Sequence, residues 1–178
     1  MNVLKLTMQN FNRVTLAFAV CLLTLTSAFA LTNENHNLPL NSQAKKLFKP
    51  SAVFKDIWID YDVTEGRQDG MRVHVKFSVS GMKNLDSYLA IYFMDRDGNK
   101  LADNNDKFNS SDGDVAVYYA LRPGYVTTEY KDLSVFMPYD ELDLRRGDWK
   151  LRMDVDVIYK EGGLIQHLTY KDFDYTQD

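Results

Sequence analysis

Met71-Arg-Val-His-Val-Lys-Phe-Ser-Val-Ser80 alternates without a fault, with apolar residues at 71, 73, 75, 77 and 79 and polar or charged ones between. Successive side chains of a strand point to opposite faces, so this decapeptide reads as a strand with one buried face. A helix would scatter the same residues around its circumference. The pattern recurs at 149–159. There Trp149, Leu151, Met153, Val155, Val157 and Tyr159 alternate with Lys150, Arg152, Asp154, Asp156 and Ile158.

Working outward, Ile57, Ile59, Tyr61 and Val63 alternate with Trp58, Asp60 and Asp62, and Gln68-Asp69-Gly70 is expected to break the chain. Residues 87–94, SYLAIYFM, are apolar on both faces, as in a central strand. Residues 95–99, DRDGN, read as a tight hairpin turn, because Asp-Gly supplies the positive φ such a turn requires. Lys100-Leu101-Ala102 is expected to begin the returning strand, and Asp103 to open a loop running to Gly113. Further strands are expected at 114–121 and 132–137, the latter stopped by Pro138, with one helical turn at 138–142. Glu161-Gly-Gly163 is a hairpin turn, and strands at 164–170 and 172–175 complete the chain.

Seven to eight strands joined by short turns, without an amphipathic helix, predict an all-β fold. The expectation is an antiparallel immunoglobulin-like β-sandwich over 51–178. The acids agree: 20 are Asp and five Glu, and Asp favours turns where Glu favours helices.

The N-terminus predicts export. Lys5 and Arg13 precede the apolar run VTLAFAVCLLTLT at 14–26, followed by Ser27-Ala28-Phe29-Ala30 with Ala at both small-residue positions. That is the layout of a signal peptide over 1–30. Residues 31–50 are polar and aperiodic, as in a flexible N-terminal segment. Cleavage after Ala30 would remove Cys21, excluding disulfides and thiolate sites from the remainder. It would leave 19 basic against 25 acidic residues, a net charge of −6. That balance argues against nucleic acid and anionic membrane surfaces. No second long apolar run follows, so no transmembrane segment is expected after signal removal.

Two sets of residues are candidates for binding. Asp-x-Asp pairs occur at 60/62, 95/97, 112/114, 154/156 and 172/174, and each aims two carboxylates the same way if extended. Asp95, Asp97, Asp103, Asp112 and Asp114 cluster in sequence, so calcium is a possible cofactor of the 95–114 loops. The register is not that of an EF-hand, since Gly98 falls at position 4 rather than 6. The second set is Tyr118, Arg122, Tyr125 and Tyr130, residue types that enrich interaction surfaces. Tyr119 is expected to face the core with Val115, Val117 and Leu121, and Tyr118 to face outward.

The histidines, His36, His74 and His167, lack zinc-site spacing, and His74 and His167 are expected on solvated faces. No nucleophile elbow, H-E-x-x-H or P-loop occurs, so no catalytic residue and no enzyme is expected. A hydrolase joining His74 or His167 to a Ser and an Asp is the less favoured alternative.

The segments VKFSVSGMKN, YFMDRDGNKLADNN, DLSVFMPYDELDL and RGDWKLRMDV resemble a small secreted β-sandwich domain family of bacteria with no assigned function. The resemblance implies the fold, and structural roles for the D-x-D-G-N-x-L turn and the F-x-P-Y-x-E-L strand end. The expected function is thus a periplasmic or secreted, non-catalytic binding module whose partner is a protein or glycan of the cell envelope. The alternative is a calcium-dependent module of the same fold.

Overall fold

The structure, a computed structural model, describes residues 49–177. The expected signal peptide, nearly all of the 31–50 segment and His36 lie outside the described residues.

Seven strands form two open antiparallel sheets. The first holds β1 (Ser51–Glu65), β2 (Gln68–Ser80) and β5 (Thr127–Pro138) in the order β1-β2-β5. The second holds β3 (Ser87–Asp95), β4 (Ala116–Leu121), β6 (Gly147–Tyr159) and β7 (Leu164–Gln177) in the order β4-β3-β6-β7. A 3-10 turn, Tyr139–Leu142, follows Pro138. Among the described residues no helix is long and apolar enough to cross a membrane.

Both sheets contribute to one core. Met71, Val73, Val75, Phe77 and Val79 of β2 are fully buried and share a cluster with Leu89, Ile91 and Phe93 of β3. Leu151, Met153, Val155 and Val157 of β6 complete it. Each such side chain contributes roughly 1.5–3 kcal/mol by leaving water. The period-two pattern at 71–80 and 149–159 is therefore the core pattern. Tyr88, Ala90 and Tyr92 of β3 are outside that cluster, on the opposite face of the second sheet.

Several boundaries differ from expectation. The β1–β2 turn is Gly66-Arg67, with Glu65 paired to Gln68, so residues 68–70 lie inside β2. Gly70 is needed there for another reason: a Cβ would lie 2.3 Å from the Met137 carbonyl oxygen and 2.7 Å from the Phe136 ring. The β1 register shifts between Asp60 and Val63, where Asp62 has φ 56°, and Tyr61 is turned out to solvent. Lys100-Leu101-Ala102 makes isolated bridges to Met94 and Asp114 rather than a strand. The two expected C-terminal strands are one, β7, so the count is seven.

Candidate functional site

Asp95 begins the turn at 95–99 and consumes its own carboxylate there. Asn99 donates its backbone N–H to Oδ1 and its side-chain amide to Oδ2, each at 2.8 Å, while Gly98 takes φ 90°. These donors hold the Asp95 carboxyl below the usual carboxylate range. Asp103 is likewise spent. Its Oδ1 accepts from the Asn105 backbone at 2.9 Å and its Oδ2 from that of Phe108 at 3.3 Å. Asp114 accepts from the Lys100 ammonium at 2.6 Å. Asp97 and Asp112 are exposed.

The five carboxylates proposed for calcium are thus not brought together. Among the described residues, no three of them place oxygens close enough to share an ion. The role shown for Asp95 and Asp103 is local: their side chains satisfy the amides of loops without ladder partners.

The four aromatic-loop candidates do not form one patch either. Tyr130 stacks on Phe77 at 4.8 Å and packs against the core. Arg122 pairs with Asp86 at 3.3 Å. Tyr125 is 75% exposed on its loop. Tyr119, expected inside, is 46% exposed on the edge strand β4.

Tyr118 alone joins a larger arrangement. It lies edge-on to Tyr88 and Tyr92 of β3, with ring centroids 5.9 and 6.1 Å away. Ala90, fully buried between the two β3 tyrosines in sequence, pairs with Tyr118 on one side and Asp156 on the other. An open groove of about 780 Å³ lies on the outer face of the second sheet. The three tyrosines line it together with Asp154, Asp156 and Lys100. Burial pushes the Tyr118 phenol well above its ordinary range, helped by Tyr92, and burial raises Tyr92 as well. Both are therefore neutral hydroxyls at pH 7. The Lys100 ammonium sits 5.5 Å from the Tyr92 ring centroid.

At one side of the groove, Asp154 and Asp156 meet His167 of β7. Its Nδ1 lies 2.9 Å from Asp154 Oδ1 and 3.0 Å from Asp156 Oδ1. Desolvation raises both carboxyls above the usual range, and the Asp154 charge adds to the rise at Asp156. His167 is not on a simply solvated row, as the alternation had suggested.

His74 is also less open than expected. It stacks on Trp58 at 4.8 Å, with Asp132 2.6 Å from Nδ1 and Asp60 3.2 Å from Nε2. Among the described residues neither histidine is hydrogen-bonded to a serine.

The groove was missed in sequence because 87–94 reads as apolar throughout. The usable signal was Tyr88 and Tyr92, four apart and hence on one face of a strand. Comparison with known proteins returns no matching family model, and no match among curated proteins or solved structures.

Proposed function

We propose that this chain is an exported, non-catalytic binding module whose ligand, a glycan of the cell envelope, lies on the outer face of the second sheet. The observation that carries this reading is the Tyr88–Tyr92–Tyr118 group in an open groove, flanked by carboxylates and an ammonium. Aromatic rings offer apolar faces to sugar C–H groups, while Asp154, Asp156 and Lys100 can exchange hydrogen bonds with hydroxyls. Export rests on the leader-like pattern at 1–30. The resemblance to small secreted bacterial domains points the same way.

The reading includes an immunoglobulin-like sandwich. In that scheme strands A, B and E face C, F and G. We read β1, β2, β5 and β3, β6, β7 as those two sets, with β4 added beside β3; the strand orders β1-β2-β5 and β4-β3-β6-β7 support this reading.

Affinity electrophoresis tests the proposal. The chain is run through gels containing soluble peptidoglycan fragments or lipopolysaccharide core oligosaccharide. Retardation by one of them, lost in the Tyr92→Ala/Tyr118→Ala variant, is expected. Equal retardation of the variant would remove this face from consideration.

A further inference from the structure

We propose that Asp154, Asp156 and His167 form a binding site for one divalent first-row transition ion, with zinc as the natural probe. The three residues place one ligand atom each within 4.8 Å of one another. The local structure explains how they meet. Alternation along β6 sends Leu151, Met153, Val155 and Val157 into the core and leaves Asp154 and Asp156 on the outer face. On β7 the register shifts so that Val155 pairs with Thr169 while Asp156 pairs with His167. A regular ladder would have put Leu168 opposite Asp156. The bulge instead sends Leu168 into the core and brings an imidazole beside the two carboxylates.

Hydrogen bonding within this group is incomplete. A ring nitrogen donates one proton, and the Nδ1 alignment gives it to Asp156 at 3.0 Å. Asp154 Oδ1 lies 2.9 Å from the same nitrogen and is buried at the atom, so two carboxylates share a single donor. A buried carboxylate oxygen in that position is costly. An ion in place of the shared proton would satisfy all three atoms at once, and the two carboxylates would cancel its charge.

The geometry lies close to what such an ion needs. Tetrahedral zinc sits about 2.0–2.2 Å from imidazole nitrogen and carboxylate oxygen, so its ligand atoms stand roughly 3.3–3.6 Å apart. The two separations from His167 Nδ1, 2.9 and 3.0 Å, require opening by roughly half an ångström. Three protein ligands leave a coordination position for water or a ligand oxygen, as in open zinc sites. Asp154 and Asp156 line the groove, and the His167 side chain is 37% exposed, so an ion can enter. One imidazole with only two carboxylates selects against calcium, which takes six to eight oxygens. The inference does not depend on the groove holding a sugar.

Calorimetric titration of the chelator-treated full chain with zinc chloride tests it. Binding of one ion per chain is expected, weakened about 10-fold or more in His167→Ala and in Asp156→Asn. Asp132→Asn, at the His74 pair on the other sheet, should bind as the parent does. On the parent protein, zinc should shift the His167 ring nitrogen resonances, a readout that needs no variant. Absence of saturable zinc binding, unchanged affinity in His167→Ala, or an unmoved His167 ring would each overturn the proposal.

Discussion

Asn105 donates its side-chain amide to Glu141 Oε2 at 2.8 Å, and Lys107 Nζ lies 3.4 Å from the other carboxylate oxygen. Glu141 is in the 3-10 turn after β5 and its side chain is only 4% exposed. The Asn104 backbone donates to Asp143 Oδ2 at 2.8 Å, a second tie between the same segments. The Asp/Asn-rich loop is thus fastened to the end of β5.

Asn105→Ala should therefore destabilise the fold. It removes a donor from a buried carboxylate, an effect of roughly 1–3 kcal/mol. Urea unfolding of Asn105→Ala, Glu141→Ala and the double variant should give a coupling energy of about 0.5 kcal/mol or more. Additive effects would mean the contact contributes nothing.

Gly70→Ala should lose roughly 1–3 kcal/mol, because the new methyl must displace the Met137 carbonyl or the Phe136 ring. Gly66→Ala meets no atom within 4 Å and suffers only the strain of its φ of 63°. Thermal unfolding should rank Gly70→Ala as the more damaging of the two.

Much of the fold was legible because β2 buries one face over 71–79 and β6 over 151–157, and binary pattern reports that directly. Register was not. The displaced turn at Gly66-Arg67, the outward Tyr61 and the bulge that re-aims His167 all depend on pairing with a neighbouring strand. The binding face was half legible. The Asp154/Asp156 pair was visible as a same-face motif, but its partners His167, Tyr92 and Tyr118 come from other strands. Sequence proximity instead favoured Asp95 to Asp114, whose loops already spend several of those carboxylates on local donors.

Asp156→Asn should match or exceed the parent in stability at pH 7 when metal is absent. A carboxyl raised by burial binds its proton more tightly folded than unfolded. Its favourable contribution is present below the ordinary aspartate range, about pH 4, and is lost as pH rises through the folded value. Asn carries no charge to desolvate. Melting temperatures across pH 3–8 should show the variant gaining on the parent as pH rises (that span brackets the ordinary carboxylate value of about 4). A constant deficit would place the value of Asp156 in the fold.

Ala90→Leu should displace the tyrosines beside it, because Ala90 is fully buried and is paired with Tyr118 on one neighbouring strand and Asp156 on the other. The expected result is loss of the retardation by envelope oligosaccharide, with a stability change of about 1–3 kcal/mol or less. Undiminished retardation in a folded variant would mean that the tyrosines do not hold the ligand.

The most direct test of the binding face is amide chemical-shift mapping of the nitrogen-15-labelled chain with the same soluble envelope oligosaccharides. Saturable shifts centred on Tyr88, Ala90, Tyr92, Tyr118 and Asp156 are predicted. Shifts centred on Trp58 and His74 of the first sheet, or no saturable shifts at all, would contradict the account.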